Sequence, residues 1–358
     1  MSEIQKAHSS SRYQDLLEEE VLSADDVLLV PRHGVLNSRM DANIEPYIFS
    51  SPMDTVTGYD LTREMVSNNH YAVVCRFLKE EWTKTFKEFH NNDMVFFAVG
   101  SDINEIHTIE NMLEEIGSEG VVNINIDVAH GDTNWMLKMY EAYRKKPWVN
   151  KLMSGSIATP QSAANVIQAG CDHLRIGIGP GSACTTRLMT GCGVPLLTSV
   201  YDIHTFIMDT KPEIREGTTL IADGGIRYPG DAVKYLAAGA DAVMLGRGFS
   251  TCFESAGWEE TRTSWWKKPI RTKKYRGQAS RSFQLDILGK NPKCPEGATG
   301  PLIVPQKTVK EVIDEYEGGL RSALSYLGLT NSSELEPTAV QFAKNTVAAQ
   351  REATPHGT

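Results

Sequence analysis

Eight short runs rich in apolar and β-branched residues recur along this chain, with helical stretches between most of them. The runs are Tyr47–Ser50, Tyr71–Cys75, Met94–Val99, Val121–Asp127, Lys151–Met153, His173–Ile176, Thr218–Ala222 and Ala242–Leu245. Helices are predicted over Tyr59–Asn69, Glu80–His90, Ile103–Ile116, Thr133–Lys145, Pro160–Ala169 and Pro229–Ala238, with a last one over Val309–Leu327. Strands that alternate with helices imply parallel pairing, because a crossover helix must return the chain in the same direction. Eight such units favour an α/β fold of the closed (β/α)8 TIM-barrel type over an open doubly wound sheet. All eight runs end in polar, charged or glycine residues, including SPMD (Ser51–Asp54), Arg76, DVAHG (Asp127–Gly131), DGG (Asp223–Gly225) and GRG (Gly246–Gly248). One shared mouth at the C-terminal face of a barrel explains that set better than ordinary loops.

Two connections are long. One runs from Ile176 to Thr218; the other follows Leu245 past residue 300 and reads as a mobile flap over 270–305. The organisation expected is an N-terminal arm over 1–20, a single barrel over 21–330 and a polar tail over 331–358 that frays. Charge enters the argument as an exclusion. The 36 basic and 45 acidic residues of the 358 leave a formal charge of −9, which argues against a nucleic-acid surface. No run approaches the roughly 20 apolar residues of a membrane span. The first residues lack the apolar core of an export signal, so a cytoplasmic protein is expected. The six cysteines show no CxxC spacing, and reduced, small buried thiols are the default.

Cys184 departs from that default. It sits in GIGPGSACTTRLMTGCG (Gly177–Gly193), among glycines and hydroxyls that make poor core. Glycines there let backbone amides or carbonyls converge on a ligand or ion, and neighbouring dipoles could favour a thiolate nucleophile. The plain alternative is a loop cysteine of no consequence. Asp223 in DGGI and the turn GRG end the seventh and eighth runs, where such barrels often hold phosphate. They read as a phosphorylated-ligand site, or else as ordinary tight turns.

The longer motifs resemble the inosine-monophosphate dehydrogenase and guanosine-monophosphate reductase family. They are IGIGPGSACTTRLMTGCGVP (Ile176–Pro195), SSPMDTVTG (Ser50–Gly58), IDVAHG (Ile126–Gly131), the run from Ile221 to Gly246, KYRGQAS (Lys274–Ser280), PEG (Pro295–Gly297) and EGGLRSALSYLG (Glu317–Gly328). They keep the family order over roughly residues 20–330. The resemblance implies the barrel fold and a set of roles. Cys184 would attack C2 of a purine, Asp223 would hold the ribose hydroxyls, Met53 would pack under the base and Arg175 would lie beside the substrate. Ser182, Gly224, Gly225, Gly246 and Arg247 would surround the 5′-phosphate near Tyr275. Gly277, Gln278, Ala279 and Ser280 would line the base edge. Arg76, Asp127, Gly177 and Gly179 would face the nicotinamide cofactor. Carbonyls of Gly179, Gly181 and Cys184 would hold potassium. A homotetramer, and no nucleic-acid or membrane partner, is implied as well.

Within that resemblance the reductase is favoured: NADPH-dependent conversion of GMP, or a related guanine nucleotide such as dGMP, to IMP and ammonia. Thr186 and Glu296 would pair to handle ammonia. The dehydrogenase's Arg-Tyr pair is broken, because Ser282 follows Arg281. No CBS-type regulatory insert follows the second run. The motifs IDVAHG, SSPMDTVTG and RGQAS lean the other way, toward an IMP dehydrogenase using NAD. A catalytically silent nucleotide-binding homologue is a third reading. It would account for Ser156, Arg247 and Gln278, which stand where the family usually carries an asparagine, a small residue and a methionine.

Overall fold

The computed structural model describes residues 20–353, apart from 211 and 262–268. Eight parallel strands close into a barrel: β1 (Ile48–Ser50), β2 (Tyr71–Val74), β3 (Val95–Val99), β4 (Val122–Ile126), β5 (Val149–Met153), β6 (His173–Ile176), β7 (Thr219–Asp223) and β8 (Ala242–Leu245). β8 returns to β1 with Phe49 opposite Met244. Each strand lies within two residues of its predicted run. The connection between β2 and the next helix, Lys79–Phe89, is only residues 75–78, with no inserted domain.

Alternation along the strands decides which residues fill the barrel. In β3, Val95, Phe97 and Val99 pack outward against the helices, while Phe96 and Ala98 join Phe49, Val73, Met153, Ile221 and Met244 on the axis. Phe49 stacks on Tyr71 with centroids 4.4 Å apart, which plugs the axis below the mouth.

The helices are α1 (Tyr59–Ser67), α2 (Lys79–Phe89), α3 (Glu105–Glu115), α4 (Asn134–Arg144), α5 (Pro160–Gln168), α6 (Leu196–Thr210), α7 (Pro229–Ala237) and α8 (Val309–Leu327). α8 has the predicted bounds. A capping box between Thr308 and Glu311 starts it, and Gly328 at φ 70° stops it. α6 fills the connection that the sequence reading left long and open. Its buried Leu196, Leu197, Val200, Ile203 and Ile207 have helical spacing.

Two peripheral segments differ from expectation. The flap is an antiparallel three-stranded sheet of Glu259–Thr261, Ile270–Arg276 and Thr299–Ile303. The tail expected to fray is tied down: Phe342–Lys344 pairs with Val27–Leu29, and Asn345 donates to the Asp25 carbonyl at 2.9 Å. These bonds satisfy backbone groups that a polar tail would otherwise leave to water. Residues 1–19 of the N-terminal arm and 354–358 of the tail lie outside the described residues.

Candidate active site

The strand ends and the flap enclose a cavity of about 680 Å³ at the C-terminal face of the barrel. With one exception, every residue singled out above for a site role lines it. The exception is Ser280. Its hydroxyl accepts from the Phe283 amide at 3.2 Å and caps Arg281–Asp286, and the residue is 1% exposed. It therefore offers nothing to a base edge.

The cysteine loop is shaped by its glycines and stitched by one arginine. Gly177 turns at φ 138°, and a Cβ there would come 2.4 Å from the Asp223 carbonyl. Arg187 reaches back, donating from Nε to the Ile178 carbonyl at 2.8 Å and from a terminal nitrogen to Val194 O at 2.6 Å. Burial lowers its pKa. Sequence reasoning passed over Arg187, although it stands inside the quoted loop.

The flap meets this loop edge to edge. Thr185 N–H donates to Glu296 O at 2.8 Å, and Ala298 N–H to Ala183 O at 2.9 Å. Gly277 permits the approach, since a Cβ there would lie 2.5 Å from Ala183 O. The pairing brings Glu296, distant in sequence, to the loop that carries Cys184 and Thr186. Cys184 Sγ lies 3.2 Å from the Thr186 hydroxyl and 3.9 Å from the Glu296 carbonyl.

At the floor, Arg175 bridges two strand ends. Its Nε donates to Asp223 at 2.7 Å and a terminal nitrogen to Asp127 at 2.8 Å. The two carboxylates outweigh the desolvation of this buried guanidinium and hold it charged. Asp127 Oδ2 and Arg76 Nε, 3.9 Å apart, are buried without hydrogen-bond partners among the described residues. A ligand hydroxyl between them would accept from one and donate to the other. Arg76 is braced over the Phe77 ring at 4.1 Å.

At the opposite side, Gly224 and Gly225 turn at φ 90° and 69°. A Cβ on Gly246 would meet Met53 Sδ at 3.0 Å and the Tyr275 hydroxyl at 3.2 Å. Tyr275 is buried, which pushes its phenol pKa up, and Arg247 lies 5.9 Å from its ring centre. Gln278 donates to the Pro52 carbonyl at 2.6 Å, tying the flap to the Ser51–Asp54 turn. Arg276 does the same through Asp54 at 2.8 Å. Sequence reasoning missed that pair, and also the cavity wall formed by Ser23–Asp25.

A closed barrel whose mouth pairs a cysteine loop with a carboxylate-bearing flap, above a carboxylate–arginine floor, defines a class of barrel enzyme acting on small polar ligands. The chain matches the sequence profile described as IMP dehydrogenase / GMP reductase domain over residues 19–356, and it belongs to that family, whose members are oxidoreductases of purine nucleotides using NAD(P). Inosine-5′-monophosphate dehydrogenase of Borreliella burgdorferi is 34% identical over 283 residues, covering 78% of this chain and 67% of that protein. The Chlorobaculum tepidum protein of the same name is 36% identical over 273 residues, covering 72% and 51%. The chain thus spans from about half to two thirds of the length of these relatives. A solved structure of a cysteine-to-alanine variant of GMP reductase from Trypanosoma brucei, in complex with guanosine 5′-monophosphate, superposes with a TM-score of 0.80. It shares 22% identity and covers 95% of this chain and 98% of that one, so it shows the same fold. Among the described residues no helix is long and apolar enough to cross a membrane.

Proposed function

We propose that the protein is a purine nucleotide reductase that converts GMP, or a related guanine nucleotide such as dGMP, to IMP and ammonia with NADPH. The observation that carries this reading is the Cys184–Thr186 contact of 3.2 Å, closed over by the backbone of Glu296. Cys184 is the nucleophile. Its sulfur bonds to C2 of the base, and the amine at C2 leaves as ammonia after gaining a proton. Thr186 and Glu296 relay that proton, a role that suits a hydroxyl and a carboxylic acid facing one cavity. NADPH, when bound, supplies the hydride that goes to C2. The C–S bond then breaks, and the electron pair returns to the sulfur.

The remaining residues bind and orient. Asp223 accepts from the ribose while Arg175 fixes its carboxylate. The Gly224–Gly225 turn, Gly246, Ser182 and Tyr275 surround the phosphate. The unpartnered Asp127 and Arg76 atoms fit a ribose hydroxyl of the cofactor. Backbone carbonyls of Gly179, Gly181 and Cys184 suit a hard monovalent cation. Gly181 O already accepts from Cys184 N–H at 2.9 Å, which leaves it one lone pair for that cation. A homotetramer working in the cytoplasm completes the proposal.

A second reading, IMP dehydrogenase with NAD, is favoured by the identity to proteins of that name. Against it stands Ser282, whose hydroxyl is bonded to Thr299 at 2.6 Å where a water-activating tyrosine would be needed. The two separate in one assay. The reductase consumes NADPH when given GMP. Production of NADH from IMP and NAD, with no NADPH consumed, would reverse the assignment.

A further inference from the structure

The helix that follows Cys184, Thr186–Thr190, is too short to hold itself. It has five residues, none of them buried, and Leu188 is 84% exposed. An isolated helix shorter than about 12 residues is marginal in water, and this one has no core face to dock it. One side chain ties it down. Arg187 donates from Nε to the Ile178 carbonyl at 2.8 Å and from Nη2 to the Val194 carbonyl at 2.6 Å, so its guanidinium joins the entrance of the loop to its exit. Its stem passes between two glycines. A Cβ on Gly179 would sit 2.6 Å from Arg187 Cγ, and one on Gly193 would sit 2.7 Å from Arg187 Nε. Glycine at both positions lets the arginine through. The backbone of the same residue closes the helix, since its carbonyl accepts from Gly191 N–H at 3.0 Å.

We propose that Arg187 is a positioning residue for the Cys184 nucleophile: by closing the loop on itself, it fixes the sulfur and the Thr186 hydroxyl, 3.2 Å apart, at the barrel mouth. The inference rests on the reading of Cys184 as nucleophile and deepens it. Attack on C2 needs the sulfur in line with that carbon, and a misplacement of about 1 Å can cost about a hundredfold in rate. A guanidinium suits the task because its planar fork reaches two acceptors at once, whereas an ammonium is a single point on a flexible stem. The flap grips the loop at Ala183 and Thr185 only. Arg187 grips it at both ends and so holds the helix that the flap leaves free. Arg175 and Asp223 are bonded to each other on the barrel strands and do not touch this tether. Loss of Arg187 therefore falls on the chemical step and spares ligand binding.

The test compares the wild type with Arg187→Lys and Arg187→Gln in two measurements. Steady-state turnover of GMP with NADPH should show kcat lowered about a hundredfold in Arg187→Gln and about tenfold in Arg187→Lys, with KM for GMP nearly unchanged. Hydrogen exchange read by mass spectrometry should be faster in peptides covering 178–194 and unchanged in those of the barrel strands. Wild-type kcat in Arg187→Gln overturns the proposal, as does unchanged exchange over 178–194. Exchange that quickens throughout the chain, with kcat and KM damaged together, also overturns it, since that is the mark of a merely structural residue. Failure of the wild type to turn over GMP overturns the reductase reading instead. The same comparison on IMP with NAD, where the cysteine attacks the same carbon, then decides the proposal, and a wild type inactive on both overturns the two together.

Discussion

At the floor of the cavity, Arg175 ties two strand ends together through charged hydrogen bonds from a buried position. At the rim, Cys184 is held in a half-buried loop by backbone pairing to flap residues 296–298, and its side chain lies within hydrogen-bonding reach of a hydroxyl and a carbonyl. On the proposed mechanism the floor carries binding groups on the barrel strands, where position costs little further ordering. The rim carries the proposed nucleophile where two loops meet, so its chemistry would depend on the flap staying docked. The proposal thus assigns ligand orientation to the barrel and reactivity to the loop–flap seam.

The contrast breaks most sharply at the rim. Cys184→Ala should abolish turnover in steady-state assay while leaving unfolding free energy within about 1 kcal/mol, since the site is not core. At the floor the balance reverses. Arg175→Ala leaves two buried carboxylates facing each other, and denaturant titration should show a loss of about 3–5 kcal/mol together with lost activity.

Gly277→Ala probes the seam itself. The added methyl would sit 2.5 Å from Ala183 O, so the flap must shift off the cysteine loop. Activity should fall at least tenfold, with a stability cost of about 1–3 kcal/mol, the range for overpacking. A variant with normal kcat/KM would show that the seam does not govern reactivity.

The smallest expected effect concerns how the flap is rooted. Lys273 is 3% exposed and donates to Thr55 O, Ser255 Oγ and Ala256 O. Burial pulls its pKa from 10.5 down to about 7. Between these values the unfolded chain holds a proton that the folded chain has released, so stability should rise with pH from about 7 toward 10.5. Below the lower value the full penalty of burying the charge applies. Unfolding titrations at pH 7 and 9.5 should show the rise, and Lys273→Met should flatten it.

Strand positions were legible because buried parallel strands read as short apolar runs, and their polar ends marked the mouth. The cavity-lining residues were legible for the same reason, since they cluster at those ends. Ser280 was misread because a motif residue facing a ligand and one capping a helix look alike in sequence. α6 carries its apolar spacing openly, but it lies beyond a glycine loop whose length suggested an irregular connection. The docking of Phe342–Lys344 on Val27–Leu29, and the wall at Ser23–Asp25, depend on pairing between chain ends that no local pattern announces.

The central claim is that Cys184 bonds to the purine. Intact-mass spectrometry of protein quenched during turnover of GMP with NADPH tests it most directly. The expected result is a nucleotide-sized mass increase that maps to the peptide carrying Cys184 and is absent from Cys184→Ala. Turnover that proceeds with no adduct on that peptide, or that persists in Cys184→Ala, would contradict the account.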